Sequence, residues 1–193
     1  KEGKTPVLKE RYEIRLAGMG GQGLILAGII LAEAATIFDG KNAVQSQSYG
    51  PESRGGASRS EVIISPEDIE IDYPKVTNPD LLLVMSREAM DRYGEEVKSD
   101  GLIIIDSTYI QIPEQSSVKI ISIPISEVTK EKFGKIIVAN IVALGIIVEL
   151  THIVSKDSLE KAVLKRVPRG TEELNKSALE LGYSLAAEKS KTG

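Results

Sequence analysis

Cysteine is absent from this 193-residue chain, histidine occurs once, and neither sign of charge dominates. Without cysteine the chain can form no disulfide, run no thiol chemistry and ligate no iron–sulfur cluster through thiolates. With His152 alone, an ordinary zinc site lacks its ligands. A net charge of −4 gives no electrostatic footprint for nucleic acid or an anionic membrane. The longest apolar run, Ile136–Leu150, is short of the roughly 20 residues a bilayer requires and carries Asn140 and Glu149. It reads as a buried helix. Lys1–Glu10 has no apolar stretch of the signal-peptide kind, and the missing cysteine fits a reducing cytoplasm.

What is present is globular. Apolar residues make up 41% and charged residues 27%, enough for one domain with a real core. The expected organisation is a flexible tail over 1–11, a domain over 12–189 and a short tail over 190–193. Glu13–Ala17 reads as a strand, Leu24–Thr36 as a helix covered on both sides, and Ala43–Ser46 as a second strand. Ser58–Ile64 and Ile69–Tyr73 read as a hairpin around Ser65–Asp68. Leu81–Met85 and Leu102–Ile105 are solid apolar runs, the mark of parallel strands buried on both faces. Arg87–Lys98 reads as a helix with Ser86 as its N-cap, and Lys119–Ile123 as a further strand. Helices over Ile136–Leu150 and Lys156–Val167, and one capped by Thr171, complete the chain. The fold class is α/β: a three-layer, mostly parallel, Rossmann-like sheet with an antiparallel hairpin and C-terminal helices.

Two loops stand out. Gly18, Gly20 and Gly23 fit the G-x-G-x-x-G spacing of a dinucleotide turn, with Gly21 and Gln22 between them. Glycine there accepts positive φ and close approach of a ligand, and the following helix offers free amides to an anion. The second loop, Gln47–Gly56, holds Tyr49, Gly50, Arg54, Gly55 and Gly56. In a parallel sheet both loops leave at the carboxyl edge, where α/β folds bind ligands. Arg54 and Arg59 have the fork geometry for a phosphate or carboxylate, or else pair with Glu52 and Glu61. Asp106 and Ser107 arrive at the same edge, as ligand groups or as caps.

A dinucleotide site also wants an acid at the end of the second strand. That strand ends in Gln45, Ser46 and Gln47, and Asp39 precedes it. The first loop is therefore a phosphate turn, a docking loop, or a turn whose glycines only permit close strand–helix packing. His152 follows a helix end, which suits a partner of the helix dipole better than a base. No nucleophile, base and orienting group fall into a catalytic spacing, so no catalytic residue and no metal ligand is assigned.

Together the segments Arg15–Ala35 (RLAGMGGQGLILAGIILAEAA), Gln47–Ser65 (QSYGPESRGGASRSEVIIS), Ile71–Ser86 (IDYPKVTNPDLLLVMS) and Ala139–Gly145 (ANIVALG) resemble the gamma subunit of 2-oxoacid:ferredoxin oxidoreductases. The same unit occurs as a domain of single-chain pyruvate:ferredoxin oxidoreductases. The resemblance runs from about Tyr12 to Leu150, and YGPESRGGASRSEVII with IDYP is similar to the 2-oxoglutarate type. Pyruvate and branched-chain types share most of these words. It implies a non-catalytic subunit of an enzyme that converts a 2-oxoacid and coenzyme A to acyl-CoA and carbon dioxide, reducing ferredoxin. Thiamine diphosphate, magnesium and iron–sulfur clusters would lie in the alpha, beta and ferredoxin-like delta subunits, and none in this chain. The glycine loops would dock those partners or help position coenzyme A, and the isolated chain would be inactive and open to pairing with a second copy. The competing reading is a stand-alone NAD(P)- or flavin-binding protein.

Overall fold

Six strands form one sheet in the order β2-β3-β1-β4-β5-β6, in a computed structural model that describes residues 10–48 and 57–192. The strands are β1 (Tyr12–Met19), β2 (Asn42–Ser48), β3 (Ala57–Ser65), β4 (Leu81–Val84), β5 (Leu102–Asp106) and β6 (Lys119–Ile123). β1, β4, β5 and β6 run parallel, while β3 runs antiparallel to both of its neighbours, β1 and β2. The solid apolar runs of β4 and β5 are central and buried on both faces, as parallel strands under two helical layers must be.

Alternation along the strands divides the core. Ile14, Leu16, Val62, Leu81, Leu83 and Ile104 face the thick helical layer. That layer holds α1 (Leu24–Glu33), α4 (Ala139–Thr151), α5 (Lys156–Arg166) and α6 (Glu172–Thr192), with α3 (Ile125–Phe133) beside α4. Ala17, Leu82, Val84, Ile103 and Ile105 face the thin layer, made by α2 (Arg87–Tyr93) and its short 3₁₀ extension over Gly94–Glu96. Helix α1 is apolar all round because the sheet lies on one side and α4 and α5 on the other. It runs on into a π-helical turn over Ala34–Phe38.

The hairpin expected between Ser58–Ile64 and Ile69–Tyr73 does not form. Both edges of β3 are taken by β1 and β2, so residues 69–73 cannot pair with it. The Ile69 carbonyl instead accepts from the Ser65 hydroxyl at 2.6 Å and the Asn42 amide at 2.9 Å. The antiparallel hairpin partner of β3 is β2. Helix α3 has no counterpart among the expected elements, and the helix expected from Ile136 starts only at Ala139. Ser86 caps α2 as expected, accepting from the Ala89 amide at 3.2 Å. The Thr171 hydroxyl precedes α6 but donates to the Pro168 carbonyl at 2.6 Å and accepts from the Asn175 side-chain amide at 3.1 Å rather than from a first-turn backbone amide.

Candidate functional site

The glycine turn leaves β1 at the carboxyl edge and enters α1 through Gly23, which is left-handed at φ 72°. Gly21 is left-handed too, at φ 88°. Between them Gln22 folds its carboxamide back into the turn. Its Oε1 accepts the Met19 amide at 2.7 Å, and its Nε2 donates to the Met85 carbonyl at 2.9 Å. One side chain thus ties the end of β1 to the end of β4. Gly18 is required by that bridge, because a Cβ there would lie 2.1 Å from Gln22 Oε1 and 2.8 Å from Leu24.

Gly23 is held from a second helix. Asn140, in the first turn of α4, donates to the Gly23 carbonyl at 3.1 Å, and a Cβ on Gly23 would meet its amide nitrogen at 2.5 Å. The start of α4 therefore sits against the start of α1. Gly20 differs from these: its φ is not positive, and among the described residues nothing lies within 4 Å of where a Cβ would stand. Beside it Met19 is 54% exposed, and Ile136 and Ile137, which lead into α4, are 50% and 74% exposed. No charged residue occurs from Leu16 to Ala32 or from Ile136 to Val148. The edge offers backbone amides and apolar surface, which suits close packing better than a multiply charged ligand.

The second loop ends beside this turn: Ala57 stands opposite Met19, whereas Ser48, where the loop begins, pairs with Arg59 on the far edge of β3. Tyr49, Gly50, Arg54, Gly55 and Gly56 themselves lie outside the described residues. Arg59 is committed elsewhere. Its Nε lies 3.0 Å from a Glu61 carboxylate oxygen, and its guanidinium lies 5.6 Å from the Tyr93 ring centre.

Sequence reasoning missed the second cation on that ring. Arg15 is 2% exposed, stacks on Tyr93 at 5.1 Å, approaches Glu61 at 3.5 Å and pairs with Glu96. The signal was there: Arg15 lies between Ile14 and Leu16, Glu61 runs into Val62–Ile64, and the two are directly opposed across β1 and β3.

Two acids weighed as ligand groups turn out to be structural. Asp106 is fully buried and accepts from the Ser126 amide at 3.2 Å, the Ser126 hydroxyl at 2.6 Å and the Thr108 amide at 3.1 Å. It holds the first turn of α3. Asp39 accepts from the Ser155 amide and hydroxyl, both at 3.0 Å, and from Ser158, at the start of α5. Burial opposes its charge, but these serine bonds and Lys41 outweigh it and hold its carboxyl below the usual range. His152 is a left-handed cap at φ 51°, its amide donating to the Val148 carbonyl at 2.8 Å.

The strand order bears on the dinucleotide reading directly. In that fold the second strand adjoins the first and brings an acid to the ribose. Here β3 is inserted between them, placing the end of β2 two strand spacings away, roughly 10 Å from the turn. Gln22 also takes the Met19 amide that faces into the turn.

Comparison with known proteins agrees with this geometry. The model of the pyruvate ferredoxin/flavodoxin oxidoreductase family matches residues 13–185. The 2-oxoglutarate synthase subunit KorC of Methanocaldococcus jannaschii is 50% identical, over 94% of this chain and 97% of that one. The crystal structure of a keto/oxoacid ferredoxin oxidoreductase gamma subunit from Geobacter sulfurreducens superposes with a TM-score of 0.82 at 49% identity, over 92% of this chain and 99% of that one. The ketoisovalerate oxidoreductase subunit VorA of Methanothermobacter thermautotrophicus is 32% identical over 91% of this chain but only 36% of its own, longer length.

Proposed function

The chain belongs to the pyruvate ferredoxin/flavodoxin oxidoreductase family, and we propose that it serves there as the gamma subunit of a 2-oxoglutarate:ferredoxin oxidoreductase. The complex would convert 2-oxoglutarate and coenzyme A to acyl-CoA and carbon dioxide, delivering electrons to ferredoxin. The observation that carries the substrate is the gap in similarity. Identity to a 2-oxoglutarate synthase subunit is 50% over nearly the whole chain, against 32% to a ketoisovalerate oxidoreductase subunit.

The chemistry resides in other subunits. Thiamine diphosphate, magnesium and iron–sulfur clusters are the cofactors of such an enzyme, and a chain without cysteine supplies no thiolate for a cluster. Among the described residues, no three of His, Cys, Asp and Glu gather as a metal ion would require. The part left to this chain is structural: a docking unit beside the thiamine-binding subunits. The glycine turn supports docking over phosphate binding, since Gln22 takes up the Met19 amide and no cation occurs from Leu16 to Ala32. The cytoplasm is its proposed place of work, which a chain without cysteine fits; no helix among the described residues is long and apolar enough to cross a membrane.

The test is genetic and biochemical together. Deleting the gene should abolish 2-oxoglutarate-dependent, coenzyme A-dependent ferredoxin reduction in extracts, and a tagged chain should co-purify with thiamine-binding and cysteine-rich subunits. Retained activity, or a chain that purifies alone from its native cell, refutes the reading.

A further inference from the structure

The two edges of the sheet are unlike. β2 closes one edge and is polar through Gln45, Ser46, Gln47 and Ser48. β6 closes the other with the sequence KIISI, whose one charge, Lys119, stands at its first residue. Sheet edges are normally blunted by charge, proline or a bulge, because their open backbone groups template another strand. From Ile120 to Ile123 β6 carries none of these. The ladder fixes which groups are open. The Ile123 carbonyl accepts from the Ser107 amide at 2.9 Å, so Ile123, and with it Ile121 and Lys119, turn their main chain toward β5. Ile120 and Ser122 turn theirs outward, each with a donor and an acceptor, evenly placed about Ile121. Among the described residues no strand adjoins them. Apolar surface accompanies the edge. Ile120 and Ile121 are half-buried, and both line a groove of about 640 Å³ with Leu150 and with Ile112, which is 59% exposed.

An occupant of this edge must bring an extended strand with matching outward groups and apolar side chains. A second copy of β6 does so by symmetry. Run antiparallel about Ile121, each Ile120 forms a hydrogen-bonded pair with Ser122 of the second copy, and the two Ile121 side chains meet on the two-fold axis. Charge agrees with this register. Lys119 is exposed and lies on the same face as Ile121, the face of the helical layer that holds α3. It would stand opposite Ile123 of the second copy, beyond which Glu127 is exposed in the first turn of α3. The two-fold axis supplies that opposition of charges twice. We propose that two copies of this chain pair antiparallel through β6, joining their sheets into one. The proposal does not rest on the oxidoreductase-subunit reading.

A chain without cysteine makes the register directly testable. In a non-hydrogen-bonded antiparallel pair the Cα atoms lie about 4.5 Å apart, within disulfide reach. Ile121→Cys in the full chain should form a disulfide-linked dimer under mild oxidation. Lys119→Cys, roughly 14 Å from its own counterpart, should not. In sedimentation equilibrium the unaltered chain should approach twice its 20.9 kDa as concentration rises. Ser122→Pro removes an outward donor without touching the β5 ladder and should weaken pairing about tenfold or more. Lys119→Glu should weaken it about threefold or more, and adding Glu127→Lys should restore it. The melting temperature of Lys119→Glu in dilute solution should stay within about 2 °C of the parent, as surface substitutions usually allow. A chain that stays monomeric at every concentration, or a dimer in which Ile121→Cys forms no disulfide, overturns the proposal. If deleting residues 1–9 converts a monomer to a dimer, the chain's own tail covers β6 and the proposal fails. Co-expression with the other subunits completes the test. If the Ile121→Cys variant there cross-links through its own residues to another subunit rather than to a second copy, the edge belongs to that subunit, and the proposal fails with the family function intact.

Discussion

Two of the places that depend on glycine differ in where the reason lies. At the crossing of α4 and α6, Gly145 and Gly182 face each other. A Cβ on Gly182 would stand 2.2 Å from the Val142 carbonyl oxygen, and one on Gly145 would stand 2.7 Å from that of Leu179. Both obstacles are backbone, so the helices touch main chain to main chain and the glycines serve the fold alone. At the turn between β1 and α1 the account is mixed. Gly18, Gly21 and Gly23 are explained by Gln22, by backbone conformation and by Asn140, while Gly20 has no internal reason among the described residues. The difference teaches that glycine content by itself does not separate packing from recognition. The surroundings of each Cβ direction do.

Substitutions can break or sharpen that contrast. Gly182→Ala should have the largest effect, about 3 kcal/mol of lost stability, because two helix backbones must separate to admit one methyl. In a chain of this size that is a fall of roughly 6–12 °C in melting temperature by calorimetry. Gly23→Ala should cost about 2 kcal/mol, combining left-handed strain with displacement of Asn140. Repeating it in an Asn140→Ala background should reduce the increment to the strain alone, about 1 kcal/mol, in a denaturant double-mutant cycle. Gln22→Ala should cost about 1 kcal/mol, since it deletes two hydrogen bonds in a turn partly open to water. Gly20→Ala should be the mildest, within about 0.5 kcal/mol and on the stabilising side for the isolated chain. A loss at Gly20 as large as that at Gly23 would erase the distinction between the two kinds of glycine.

Much of the fold was legible because its strongest signals are local. The uninterrupted apolar runs at Leu81–Met85 and Leu102–Ile105 require burial on both faces, and the all-round apolar Leu24–Thr36 requires neighbours on two sides. The misread element, Ile69–Tyr73, has the right alternation, but pairing depends on which edges are free, and β3 had none left. Helix α3 escaped notice because its first turn is organised by Asp106, some twenty residues earlier in the chain. The glycine turn was found by spacing. Its internal bridge through Gln22 was not, since Met85 lies 63 residues away.

The sequence by itself determined the α/β class, the family to which the chain belongs and the absence of cluster ligands, because composition, periodicity and an ordered set of motifs do not depend on distant contacts. Only the tertiary structure decided the insertion of β3 between β1 and β2, the use of Asp39 and Asp106 as helix anchors, and the division of the glycines into packed and open. Each of these is a question of which distant groups compete for the same edge, donor or space, and only the folded chain brings those groups together.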